Sequence, residues 1–218
     1  MPQITSIEPQ KKNKDRFNIF IDGKFAFGNN MENLIKNQLK VGVNLNIKSI
    51  QKIIQKEEIS KLTDSSLNFL SFRPRSQQEI KVYLTKKISK NENLPYHQAK
   101  ESPLIEQIIT KLKKYKYIND LEFTTWWIKS RNRSNPKGRF QIKAELIKKG
   151  INRDLIEQVL AKYSNQTVLA KKAIEKKLTV WKNLSGNELK KKVYAYLSTR
   201  GFDFDTISHI VAYLEKKR

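Results

Sequence analysis

Two kinds of hydrophobic spacing divide the chain. Near its start, Phe17, Ile19 and Ile21 alternate with Asn18, Phe20 and Asp22, the period of a strand with one buried face. Asp22-Gly23 follows, a pair whose members both tolerate positive φ, and Phe25 and Phe27 continue on what reads as the return strand of a hairpin. Ile4 and Ile7 precede a polar, lysine-rich turn around Gln10 to Asp15. The pattern therefore predicts a small three-stranded antiparallel sheet over residues 3 to 28. From about Met31 onward apolar residues recur at three and four, so the remainder is expected to be helical, in helices of about ten to fifteen residues.

Helix punctuation supports this division. Ser76-Gln77-Gln78-Glu79 and Ser185-Gly186-Asn187-Glu188 are capping boxes, in which the Ser hydroxyl and the Glu carboxylate satisfy orphan amides at a helix start. Pro103 after Ser102 suits a first helical position, and Asp120 and Asp203 are expected N-caps. Gly150 and Gly201 are expected just past helix ends.

The helical part repeats itself. A shift of 51 carries Leu146 onto Leu197, Gly150 onto Gly201, Ile156 onto Ile207, Val159 onto Ile210 and Leu160 onto Val211. Going backwards, Glu79 to Lys87 matches the segment from Gln141 at an offset of 62, and Leu104 to Ile109 matches Leu155 to Leu160 at 51. The difference marks an insertion, Ser89 to Lys100, whose polar, Pro-containing composition suits an exposed loop. The reading is a mostly α protein of three tandem three-helix repeats forming an elongated, curved molecule, preceded by a small β-hairpin or sheet and helices. Its segments are 1–57, 58–118 with the insertion at 89–100, 119–163 and 164–218.

Charge adds a partner to this picture. Forty-four Lys and Arg against 21 Asp and Glu leave a formal charge of +23, spread along folded segments, which points to a polyanionic partner. Cysteine is absent, which excludes disulfides and thiolate metal sites and fits the cytoplasm. No run approaches the roughly 20 apolar residues of a membrane span, and the first residues lack the basic and apolar regions of a secretion signal.

No catalytic constellation is apparent, so a non-enzymatic protein without cofactor or metal is expected. His97, in the insertion, and His209, on the last helix, belong to unrelated places. Asp120 with Glu122, and Asp203 with Asp205, sit at helix starts, where capping and the helix dipole account for them. Seven glycines include no phosphate-binding loop. Trp126 and Trp127 read as core packing around Phe123, with stacking on unpaired bases as the rival reading. Only nine Arg occur, and six cluster at Arg73 and Arg75 and across Arg131, Arg133, Arg139 and Arg153. Arg suits bidentate pairing with phosphate or carboxylate, so this placement points to specific contacts.

The string Leu67-x-x-Leu70-x-x-Arg73-Pro74-Arg75-Ser76-x-x-Glu79-x-x-x-Tyr83-Leu84 resembles the opening of the RecX family of recombination regulators. Leu112-x-x-Tyr115-x-Tyr117-Ile118-Asn119-Asp120-x-x-Phe123 is similar to the start of the family's second unit. Trp127-x-x-x-Arg131 followed by Gly138-x-x-x-Ile142-x-x-Glu145-Leu146-x-x-Lys149-Gly150-Ile151 is similar to its core. Tyr196-Leu197-x-x-Arg200-Gly201-Phe202 resembles the third unit, and Arg16 to Asp22 the N-terminal extension that some members carry.

The resemblance implies a monomeric cytoplasmic regulator that binds the RecA filament on single-stranded DNA. It would restrain recombinase, ATPase and co-protease activity in DNA repair, homologous recombination and the SOS response, with auxiliary, salt-sensitive DNA contacts. The basic face expected to serve this comprises Arg73, Arg75, Arg131, Arg133, Lys137, Arg139, Lys143, Lys148, Lys149, Arg153 and Arg200. The alternative is a general single-stranded nucleic-acid-binding protein without RecA contacts, for which charge and aromatic rings suffice.

Overall fold

The computed structural model describes residues 1–11, 13–163 and 165–217. They form two compact units, Met1–Leu67 and Asn68–Arg218. In the first, strands β1 (Ile4–Gln10), β2 (Asn13–Ile21) and β3 (Lys24–Asn30) pair antiparallel in that order. The sheet is the one expected; Lys12, within the polar turn predicted between β1 and β2, lies outside the described residues. Asp22 and Gly23 close the second hairpin with φ of 48° and 77°.

A bulge in β3 changes the side-chain alternation. Ile19 faces Phe27 but Phe20 faces Phe25, so Ala26 is the extra residue. The extra residue moves Phe25 to the opposite face from Phe27. Phe27 is therefore buried, while Phe25 is 60% exposed with its ring edge-on to Phe20.

Helix α1 (Met31–Lys36) starts at Asn30, whose side chain accepts from the Asn33 amide. The expectation of continuous helix from Met31 fails over residues 37–46. There Leu39, Val43 and Leu45 fall at alternate positions beside Gly42, and the backbone pairs with the chain start through Ile4 N to Val43 O (3.0 Å) and Leu45 N to Pro2 O (2.8 Å). A buried cluster of Ile4, Ile19, Phe27, Leu34, Leu39 and Ile53 holds the sheet to α1 and α2 (Ile47–Ser71). At 25 residues α2 exceeds the expected length, because no Gly or Pro interrupts it before Pro74. Its buried Glu57 is paired with Arg16 and lies 3.6 Å from Lys61.

The second unit comprises α3 (Gln77–Asn91), α4 (Tyr96–Lys100), α5 (Pro103–Lys114), α6 (Asp120–Ser134), α7 (Arg139–Lys148), α8 (Arg153–Tyr163), α9 (Gln166–Val180), α10 (Gly186–Thr199) and α11 (Phe204–Lys216). Both capping boxes form, at Ser76 and Ser185, and Pro103 opens α5. The insertion is not the single loop expected. Helix α3 runs through its first part, and Tyr96–Lys100, carrying His97, coils into α4 over the buried Ala99.

Phe123, Ile128, Ile142, Leu146, Ile156, Val159 and Leu160 form one core among α6, α7 and α8, with Trp126 and Trp127 half-buried at its edge. Leu169, Ile174, Val193, Leu197, Ile207, Ile210 and Val211 form a matching core among α9, α10 and α11. The third-helix stripe recurs on α5 as buried Leu104, Ile105, Ile108 and Ile109. Asp120 is not the N-cap of α6. Asn119 fills that place, and Asp120 Oδ1 instead accepts from the Gln77 amide at 2.8 Å, tying α6 to the start of α3.

The joints between successive helical groups use the same construction. At the start of α3, Ser76 Oγ donates to Lys149 O at the end of α7, 2.7 Å away. At the start of α7, Gly138 N donates to Arg200 O at the end of α10 at 2.8 Å, and Phe140 N to Gly201 O at 3.1 Å. Gly150 and Gly201 adopt φ of 76° and 80° past their helices. A side chain on Gly201 would come within 2.4 Å of Gln141 N, and one on Gly138 within 2.0 Å of Gly201 O.

Candidate functional site

Three of the six arginines singled out in the sequence, Arg73, Arg131 and Arg139, pair with this protein's own carboxylates. Helix α3 presents Glu79 to both neighbours, because the capping box turns its carboxylate back over the helix start. Arg73 grips Glu79 through two nitrogens at 2.7 and 3.1 Å, and Lys149 from the end of α7 reaches the same group at 2.8 Å. Burial by itself raises the Glu79 carboxyl, but the hydrogen bonds from Arg73 and Lys149 hold it down at about 2. Arg75 stacks on Phe69 at 3.8 Å, and its Nε is buried with no hydrogen-bond partner among the described residues. Burial, helped by the neighbouring Arg73 charge, lowers the Arg75 pKa.

Glu145 on α7 is a second convergence point. Trp127 Nε1 and Arg131 Nε each donate to it at 2.9 Å, and Lys137 pairs with its other oxygen. Hydrogen bonds from Lys137, Trp127 and Arg131 outweigh burial and lower this carboxyl. The Trp127 ring has Arg131 4.6 Å and Lys149 4.4 Å from its centre, so the Glu145 and Glu79 clusters meet at one indole. Its neighbour Trp126 carries Arg73 at 5.7 Å.

A third cluster lies on the other flank of α7. Arg139 and Lys143, one turn apart, share Glu157 of α8, Arg139 at 3.2 Å. The hydrogen bond from Lys143 is the main cause lowering the Glu157 carboxyl. Arg200 bonds Asn135 Oδ1 and Pro136 O and covers Tyr196 at 4.6 Å. Of the eleven basic residues named from the sequence, Arg133, Lys148 and Arg153 are exposed and form no ion pair among the described residues. They lie on three different helices or helix ends: the close of α6, the close of α7 and the start of α8.

Of the cations bordering the grooves between first and third helices, sequence reasoning named Arg133 and missed Lys129, Lys162, Lys171, Lys172 and Lys217. A groove of about 760 Å³ between α6 and α8 is bordered by Trp126, Lys129, Arg133, Lys162 and Tyr163. One of about 330 Å³ between α9 and α11 is bordered by Lys171, Lys172, Tyr213 and Lys217. Each has a lysine over a tyrosine ring, Lys129 on Tyr163 at 4.8 Å and Lys171 on Tyr213 at 3.8 Å. The tyrosines sit near the ends of α8 and α11, but the 51-residue shift carries Tyr163 onto Leu214, so the repeat does not mark them in the sequence. Two of the acidic residues noted at helix starts have local partners: Asp203 caps α11 by accepting from the Thr206 amide at 2.8 Å, and Glu122 accepts from Asn119 Nδ2 at 3.0 Å.

Comparison with known proteins adds three family matches. Residues 2–46 match the Regulatory protein RecX N-terminal domain, 119–160 the second three-helix domain of RecX, and 166–211 the third. Regulatory protein RecX of Bacillus subtilis (strain 168) is 39% identical over 217 residues, spanning 99% of this chain and 78% of the relative. Regulatory protein RecX of Listeria monocytogenes serotype 4a is 37% identical over 204 residues, spanning 92% and 71%. A crystal structure of regulatory protein RecX superposes with a TM-score of 0.68 at 28% identity, covering 95% of this chain and 98% of that one. RecX from Lactobacillus salivarius gives a TM-score of 0.60 at 27% identity, covering 73% and 98%.

Proposed function

Since the chain belongs to the RecX family, we propose that it is a regulator acting by binding, which engages the RecA filament on single-stranded DNA and restrains its activity. Sequence identity to regulatory proteins over 99% of the chain carries this reading. The three helical repeats are taken as 58–118, 119–163 and 164–218, the protein as a cytoplasmic monomer, and its action as non-enzymatic. No helix among the described residues is long and apolar enough to cross a membrane.

The paired arginines suit a supporting role in this scheme. Arg131, Arg139 and Lys149 hold neighbouring helices in register through Glu145, Glu157 and Glu79, with Arg73 bracing Glu79 locally, whereas exposed Arg133, Lys148 and Arg153 are available to acidic or phosphate groups of a filament. Co-sedimentation with RecA assembled on single-stranded DNA tests the reading. The full chain is expected to pellet with the filament, and Lys148→Glu with Arg153→Glu to weaken pelleting while the fold is kept. A chain that stays in the supernatant of intact filaments contradicts it.

The alternative, a general single-stranded nucleic-acid-binding protein, is favoured by the cationic, aromatic grooves. It predicts equal pelleting with DNA coated by any other protein that leaves bases open.

A further inference from the structure

We propose that three grooves of the second unit join into one track for a single strand of nucleic acid, with Tyr163 and Tyr213 as stacking rungs. The inference deepens the proposed function, in which DNA is auxiliary, and its test omits RecA, so either can fail alone.

Continuity comes from shared walls. The groove between α6 and α8 and a second groove of about 420 Å³, where the end of α6 meets α9 and α10, both include Arg133 and Ser134. That second groove and the one between α9 and α11 both include Lys172 and Glu175. Together the three walls carry nine Lys and Arg against two acids, Glu122 and Glu175. None of the nine forms a salt bridge among the described residues, although Arg131, Lys137, Arg139 and Lys143 close by are all paired. The cations bordering the grooves thus form no ion pairs among the described residues, whereas those between α6, α7 and α8 hold helices together.

The ligand must be a polyanion with flat apolar units at intervals. Tyr163 and Tyr213 are 40% and 44% exposed, and each has a lysine ammonium over its ring. A base stacks on such a ring once the flexible lysine swings off its face toward the flanking phosphate, exchanging a cation–π contact for a phosphate contact. Half-buried Trp126 borders the largest groove and Tyr196 the middle one. Stacking requires bases free of a duplex, which selects a single strand. The negative end of the α6 dipole would repel phosphate at the junction of the first two grooves. Lys172 Nζ counters it by lying 3.4 and 3.2 Å from the carbonyls of Asn132 and Arg133. An acidic peptide would use the cations but has no need of the ring faces at Tyr163 and Tyr213.

Fluorescence anisotropy of a labelled oligothymidylate with the full chain tests this. Tyr163→Ala with Tyr213→Ala should weaken binding roughly tenfold or more with an unchanged circular dichroism spectrum, by the loss of base stacking. Tyr163→Phe with Tyr213→Phe should restore it. Lys162→Gln with Lys172→Gln should flatten the salt dependence, which the tyrosine changes leave alone. The track is overturned if the folded alanine variant binds like the parent, if the phenylalanine pair fails to restore binding, or if the lysine pair leaves the salt slope unchanged. It is also overturned if duplex DNA or polyglutamate competes as well as the single strand.

Discussion

Three glutamates, Glu79, Glu145 and Glu157, take up most of the basic side chains that the sequence marks as special. Glu79 matters most, because Arg73 from the connector before α3 and Lys149 from the end of α7 both reach it and it also caps α3. Glu79→Gln is expected to destabilise the second unit by about 1.5 to 3 kcal/mol, as hydrogen bonds to a half-buried charge are weakened and two cations lose their counter-ion. Denaturant melts of parent and variant measure this.

The pH dependence follows from the same group. Its folded carboxyl titrates at about 2 against an ordinary 4.5, so its contribution is fully present above 4.5 and lost as pH falls toward 2. The stability gap between parent and Glu79→Gln should therefore close across that window; a constant gap would contradict the assignment. Of these partnerships only Arg73 with Glu79 lies within one turn region of sequence, six residues apart. Arg131 with Glu145 and Arg139 with Glu157 are 14 and 18 apart. The clustering of the arginines was legible, but which of them pair within the molecule depends on how α6, α7 and α8 pack, which spacing does not encode.

At the scale of elements, the joints between helical groups make the clearest demand on residue type. Gly138→Ala and Gly201→Ala should each cost about 2 kcal/mol or more, because the added methyl meets backbone atoms, and at Gly201 the positive φ is an additional strain. Gly186→Ala, at the first position of α10 with open space around it, should be neutral or stabilising by a few tenths of a kcal/mol. Thermal melts of the three variants side by side distinguish these outcomes, and an equal loss at Gly186 would count against the close-packed joint. The capping boxes, the Asp22-Gly23 turn and the repeated glycines were readable because their chemistry is local. The bulge at Ala26, the non-helical stretch at 37–46 and the use of Asp120 as a tether to Gln77 were not, since each is decided by a partner distant in sequence. The length of α2 was underestimated for another reason: a helix without Gly or Pro has no local stop, and apolar spacing alone does not supply one.

For the whole molecule, a charge of +23 with unpaired cations along the grooves would make the proposed binding to a nucleoprotein partner steeply dependent on salt, since each phosphate neutralised releases counter-ions. Raising salt from 50 to 200 mM should weaken association with a RecA filament by about 10³-fold if some six phosphates are contacted, and titrations at several salts read the number from the slope. A filament regulator differs from a strand-coating protein in stoichiometry. The direct measurement is RecA ATPase on single-stranded DNA, titrated with the full chain. The account predicts inhibition at well below one molecule per RecA protomer; inhibition that sets in only when enough protein is present to coat the DNA would contradict it.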